Sequence, residues 1–269
     1  MPQTPPAATH LDASTMTTAR CLAAALALSA PLAAFAQAPR GADADGASSW
    51  AVGIALWPER KPYRDFDNKT RVWPLLTFEN RWVRVFGPGV EFKLGRSGPL
   101  SYGLTLGYAG EGYKAGDSPF LTGMDKRRAG IWAGGRLGLK MGLTSFSTDL
   151  SADASNHSQG MRLRLGVDHR VPLGDFGLTP RLTATWLDRS YVDYYYGVKA
   201  NEATAARAAY SPGSAVNVEF GVRADYRLDS QQVLFADVGV VALGNSIKRS
   251  PLIERSTVPE LRLGYLYRF

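Results

Sequence analysis

Leu261-Arg262-Leu263-Gly264-Tyr265-Leu266-Tyr267-Arg268-Phe269 decides the fold. Leu261, Leu263, Tyr265, Tyr267 and Phe269 fall on one side of an extended chain, and Arg262, Gly264 and Arg268 on the other, because successive strand side chains point to opposite faces. The same period of two recurs upstream. Met161, Leu163, Leu165 and Val167 oppose Arg162, Arg164, Asp168 and Arg170. Val216, Val218, Phe220, Val222 and Ala224 alternate with Asn217, Glu219, Gly221, Arg223 and Asp225. Leu100, Tyr102, Leu104, Leu106 and Tyr108 alternate with Ser101, Gly103, Thr105 and Gly107. No segment after residue 47 has a helical period, so the chain reads as all-β with unusually long strands.

Strand length separates two all-β classes. Sandwich strands run near ~5–6 residues, whereas a tilted membrane-spanning strand needs about 9–11. These segments are of the longer kind. The reading is a closed antiparallel transmembrane β-barrel with up-and-down topology, in which the aromatic face meets lipid and the charged face the lumen. Lipid offers the backbone no hydrogen-bond partner, so a spanning sheet has to close on itself. The closing stretch also resembles the terminal signal strand by which outer-membrane proteins are recognised for barrel assembly, with Leu263, Tyr265, Tyr267 and Phe269 as its signal residues and the barrel-assembly machinery as the implied partner.

Twelve strands are expected, at 48–57, 71–79, 82–87, 89–95, 99–108, 128–141, 144–154, 159–170, 177–188, 215–227, 231–243 and 257–269. Ten is the competing count, because 82–95 reads equally as one bent strand around Gly87-Pro88-Gly89 and 231–243 alternates poorly. With both ends in the periplasm, the long connections 58–70, 109–127, 189–214 and 244–256 all fall outside. The turns at 80–81, 96–98, 142–143, 171–176 and 228–230 all fall on the periplasmic side, the asymmetry such barrels show. Pro74 and Pro180 cannot donate to a ladder, so irregularity is expected at both. Trp50, Trp57, Trp73, Trp132 and Trp186 fit interfacial girdle positions.

Ahead of the barrel, residues 1–36 read as a secretory signal peptide starting at Met16: Arg20, the apolar run from Cys21, and Ala34-Phe35-Ala36 as cleavage site. Residues 37–47 are a short flexible periplasmic lead, and 48–269 the barrel domain. Of 269 residues, 31 are Lys or Arg and 24 Asp or Glu, a net charge of +7. Cleavage removes Arg20 and Asp12, so the mature charge is 30 − 23 = +7. Cys21 is the one cysteine, which excludes a disulfide scaffold and any cysteine zinc site.

No catalytic constellation is expected and no cofactor. His10 precedes the signal segment, and neither His157 nor His169 has a nucleophile and an orienting group placed with it. Asp149 and Asp153 share the lumen-facing parity, but Arg162 and Arg164 lie on the next strand. Together with Glu219, Arg223 and Asp225 they read as lumen charges filling a narrow barrel. The basic residues are interleaved with acids rather than gathered in a stripe, which argues against nucleic acid. External cations such as Arg60, Lys61, Arg64, Lys126, Arg127 and Arg128 suit anionic lipopolysaccharide in the outer membrane.

An ordered series of segments resembles the MltA-interacting protein and OmpV family. It runs Trp73-Pro74-Leu75-Leu76, Leu121-Thr122-Gly123-Met124, Tyr194-Tyr195-Tyr196-Gly197-Val198, Tyr210-Ser211-Pro212-Gly213, Ser250-Pro251-Leu252 and the tail Gly264–Phe269, and covers nearly all of 48–269. Tyr196 stands where Phe is expected before the Gly-Val pair. The resemblance implies a non-enzymatic outer-membrane barrel that scaffolds a lytic murein transglycosylase and a murein synthase in peptidoglycan remodelling. It also leaves open the OmpV-type roles of small-solute channel and adhesin or receptor. For an adhesin the recognition residues would be loop tyrosines, Tyr191, Tyr194, Tyr195, Tyr196 and Tyr210.

Overall fold

The computed structural model describes residues 48–66 and 69–269; the signal peptide expected over 1–36 and the lead expected over 37–47 lie outside them. Thirteen strands form one closed antiparallel sheet: β1 Ser49–Glu59, β2 Lys69–Glu79, β3 Val83–Phe86, β4 Gly89–Ser97, β5 Leu100–Ala109, β6 Gly130–Met141, β7 Thr144–Asp153, β8 Met161–His169, β9 Val171–Leu173, β10 Phe176–Leu187, β11 Ala215–Arg227, β12 Gln232–Ala242 and β13 Thr257–Arg268. Apart from β8 and β9, which do not pair with each other, successive strands pair, and β13 pairs with β1 to shut the ring. β8 and β9 both pair with β10 in one unbroken register, so they are two halves of one stave and the barrel has twelve.

The interruption between β8 and β9 falls at His169-Arg170, opposite Thr179-Pro180. Proline has no N–H for the ladder, so the irregularity expected at Pro180 is there. It also corrects the turn expected at 171–176: Val171–Leu173 is strand, and Gly174-Asp175 makes the turn, with Gly174 at φ 65°.

Pro74 has a different setting. β3 and β4 make a short hairpin whose tip, Gly87-Pro88, reaches only the level of Thr77 on β2 and Gly107 on β5. The hairpin is real, which gives twelve staves rather than ten, but its tip lies within the wall and not among the external loops. Above that level β2 has β1 as its only strand partner among the described residues. Gly87 N–H donates to the Leu76 carbonyl (3.1 Å), so by alternation Thr70, Val72 and Pro74 also turn their backbone groups to the open side.

The outward face is a belt of Val, Leu, Ile and Phe, including Ile54, Leu104, Leu165, Phe220 and Leu263, all exposed in the isolated chain. A belt this continuous is far beyond what a water-soluble monomer shows and is the lipid-facing surface of a membrane barrel. Trp50 and Trp186 project outward as girdle residues, joined by Trp82. Trp57 and Trp73 turn inward, and Trp132 is 2% exposed beneath the loops, so three of the five expected girdle tryptophans serve the interior. β12 alternates poorly because its lumen face carries Val233 and Phe235 beside Asp237, which erases the polar contrast. Phe235 lies over Gly264 of β13, where a Cβ would collide with its ring.

Candidate functional site

The external loops do not dangle; they fold into a cap. Tyr63 from the first loop, Tyr113, Leu121 and Met124 from the second, Tyr191, Val192, Tyr195 and Val198 from the fourth, and Ile247, Leu252 and Ile253 from the last form one buried apolar cluster. It sits on Ala109, Trp132, Leu187 and Ala215 at the strand ends. Local sequence shapes the central piece. Asp188 accepts the Tyr191 N–H (2.9 Å) and so caps helix α1, Arg189–Tyr196, whose Tyr191 and Tyr195 point the same way one turn apart.

Polar contacts lock the cap. Glu202 receives Arg127 Nη1 (2.9 Å) and Nη2 (2.7 Å), with both side chains almost fully buried, and the backbone N–H groups of Asp125 and Lys199 (2.8 and 3.0 Å). Burial works to raise the Glu202 pKa, but these donors outweigh it and hold the carboxyl down at about 2. Arg207 donates to the carbonyls of Phe120, Thr122 and Glu202, tying the second and fourth loops together. Tyr63 Oη donates to the Tyr195 carbonyl, and Ser250 Oγ to that of Tyr196. Burial raises the Tyr63, Tyr195 and Tyr196 phenols well above their ordinary range.

This places the five loop tyrosines. Tyr191 and Tyr195 are 4% and 1% exposed, so as surface anchors they are ruled out by packing. Tyr194, Tyr196 and Tyr210 pack against the cap while staying partly accessible, and the Tyr194 and Tyr210 hydroxyls are already bonded to Arg128 N–H and the Ser246 carbonyl. A groove on the outer face, lined by Tyr194 and Tyr210, is what they leave to a partner.

Below the cap, charge fills the barrel. Arg181 binds Glu219 (Nη2–Oε1 2.8 Å) and Asp237 (Nη1–Oδ2 2.7 Å). Arg262 reaches Asp237 (3.4 Å) and Glu260 (2.5 Å) and stacks on Trp57. Arg181, Asp237 and Arg262 are at most 5% exposed. Gly221 and Gly239 face each other across β11 and β12, and a Cβ at 221 would strike the Arg181 guanidinium; the glycines make room for the network. Across the lumen Arg136 pairs with Asp149 (3.7 Å), and Arg162 with Glu111 (3.2 Å) while stacking on Trp132. Arg164 lines the cavity of ≈ 180 Å³ between this network and the cap. Arg223 and Asp225 pair at 2.8 Å nearer the periplasm.

Asp153 is the exception among the expected lumen charges. It ends β7 and accepts N–H groups from Ser155 (2.9 Å), His157 (2.9 Å) and Ser158 (2.6 Å), organising the turn to β8 rather than an ion pair. His157 Nδ1 contacts the Ala129 carbonyl and His169 Nδ1 the Thr144 hydroxyl (2.9 Å each), which makes each ring part of a local link. Among the described residues no group of three or more His, Cys, Asp or Glu gathers to hold a metal.

Fold and lining together define an outer-membrane β-barrel whose lumen is lined with paired charges beneath a folded cap of loops. The family model for MltA-interacting protein MipA matches residues 51–269, and the chain belongs to that family. It is 24% identical over 233 residues to the MltA-interacting protein of Escherichia coli (strain K12), covering 85% of this chain and 92% of that one. It is 27% identical over 168 residues to outer membrane protein OmpV of Vibrio cholerae serotype O1, covering 62% and 65%. Among solved structures, the COG4313 outer membrane channel from Pseudomonas putida F1 aligns with a TM-score of 0.45 at 11% identity, over 83% of this chain and 96% of that chain.

Proposed function

We propose that the protein is a non-enzymatic, non-conducting outer-membrane scaffold that gathers a lytic murein transglycosylase and a murein synthase on its periplasmic face. The observation that carries this reading is the double seal of the lumen: an aromatic cap outside and a buried Arg181–Glu219–Asp237–Arg262 network beneath it. A solute channel needs a wet path, and the buried cap and the ionic network both stand in its way. The relative named for interaction with MltA supplies the partner class. The short periplasmic turns at Gly142-Leu143, Gly174-Asp175 and Leu228–Gln231 bring such partners close to the bilayer.

Capture from detergent extract tests it. The intact barrel should retain a lytic transglycosylase and a murein synthase together, and planar bilayers holding it should show no stepwise conductance. Recovery of neither enzyme, or steady single-channel steps from the parent protein, would end the reading.

A further inference from the structure

The periplasmic end of the barrel is a cup. Its volume is ≈ 460 Å³. Sequence order along three strands shows what closes its inner end. On β10, Thr179 lines the cup, Arg181 belongs to the ionic network and Thr185 lines the upper cavity. On β11 the order is Asp225 and Arg223, then Glu219, then Asn217; on β13 it is Arg268 and Leu266, then Arg262, then Val258. The cup therefore ends on the buried network and is a recess, not the mouth of a channel.

Its charge is lopsided. Six cations line it, Arg84, Lys140, Arg170, Arg223, Arg227 and Arg268, against three acids, Glu79, Asp175 and Asp225. Glu79 is taken by Arg84 (2.6 Å) and by Lys93 from the wall (2.5 Å), and Asp225 by Arg223 (2.8 Å) and Arg170 (3.8 Å). Among the described residues Lys140, Arg227 and Arg268 have no acidic partner within ion-pair distance. Between the cations the inward wall is apolar, with Phe86, Val233 and Leu266. Like charges gathered in a low-dielectric recess raise the local potential and draw in a counter-charge.

We infer that this cup is a receptor for a carboxylate-rich peptide segment presented from the periplasm. A small inorganic anion would satisfy the cations and leave the apolar wall idle. A peptide with acidic and apolar side chains uses both, and its chain can enter a recess that is closed at the far end. The inference rests on the scaffold reading for the side from which the ligand comes, and it names the chemistry of the contact.

The test uses the full mature chain in nanodiscs of neutral phosphatidylcholine. Two fluorescein-labelled probes are titrated by anisotropy: Glu-Phe-Glu-Ala-Glu-Phe and its counterpart with Gln at each Glu. The acidic probe should bind at least ~10-fold tighter, with affinity falling as salt rises. The combined change Lys140→Gln, Arg227→Gln and Arg268→Gln should weaken it at least ~10-fold and flatten the salt dependence. The external set Lys126→Gln, Arg128→Gln and Lys199→Gln should leave it unchanged. Folding of each variant is read from heat-modifiable gel mobility. Should the triple variant fail to fold, the single variants decide, each expected to cost about two- to threefold. Equal binding of both probes, undiminished binding to the cup variants, or displacement by inorganic phosphate as effective charge for charge would overturn the inference. Retention of the acidic probe with no murein enzyme captured would instead remove the scaffold reading and leave the receptor standing.

Discussion

Glu202→Gln in the cap is the most telling single change. The substitution keeps the shape of the side chain but removes its charge, and one carboxylate oxygen that receives Arg127 becomes an amide nitrogen. Arg127, 3% exposed, would keep the carbonyls of Tyr194 (2.7 Å) and Asp125 (3.0 Å) but lose its counter-charge. Breaking a buried pair from one side costs about 3–5 kcal/mol. The strands do not depend on this contact, so the loss falls on the cap as a local opening. At about 1.4 kcal/mol per tenfold, the open population should rise between ~100-fold and ~3000-fold. Hydrogen exchange read by mass spectrometry, with the protein in nanodiscs, measures this directly. The N–H groups of Arg127, Val198 and Tyr210, which pair within their own cap loops at 2.8–2.9 Å, should lose protection by that factor. Those of β6 and β10 should keep theirs. If the cap amides exchange within threefold of the parent rate, the Arg127–Glu202 pair does not hold the cap and the argument for a locked external seal fails.

Other outcomes follow from the same contacts. The Glu202 carboxyl is held at about 2, below its unfolded value of 4.5, so its contribution is complete above pH ~4.5 and is lost as pH falls through about 2; cap protection should be flat from pH 7 to 5 and decline only below that window. Arg181→Met strands Glu219 and leaves Asp237 with Arg262 alone, and should destabilise the barrel by about 3–5 kcal/mol, seen as an earlier heat-modifiability transition on gels; an unchanged transition would show that the network is solvated. Asp153→Ala removes the acceptor for the 155–158 turn and should cost about 2 kcal/mol locally, read as faster exchange at His157 and Ser158 with the cap intact. Phe269→Ala should lower the yield of assembled barrel in cells while leaving the thermal transition of assembled protein within ~0.5 kcal/mol, because Phe269 is 74% exposed and touches little beyond the Tyr267 ring.

The barrel was legible where one face meets lipid and the other meets charge. β13 and β11 show this cleanly, since Leu261, Leu263, Val218 and Phe220 point out while Arg262 and Glu219 point in. β12 was weak because Val233 and Phe235 occupy its lumen face. The cap was not legible: Tyr63 meets Tyr195 across 132 positions, and Arg127 meets Glu202 across 75, contacts that periodicity does not encode. The tyrosines of that loop read either as packing or as recognition anchors, and two of the five, Tyr191 and Tyr195, are packed into the cap. Glu219 stood out by parity, but its partners Arg181 and Asp237 were missed. The signal that could have found them is the pair of lumen-facing glycines, Gly221 and Gly239, on adjoining strands; space of that kind is left for a large side chain reaching in from elsewhere.

The low hairpin of β3 and β4 reaches beyond strand counting. Beside Thr70, Val72 and Pro74, β2 has no strand partner on its open side among the described residues. Hydrocarbon offers backbone groups no hydrogen-bond partner, so this border is the stretch of the wall least suited to lie against lipid tails. Pro74, with no hydrogen to offer, spoils the same border as a template for a stray strand.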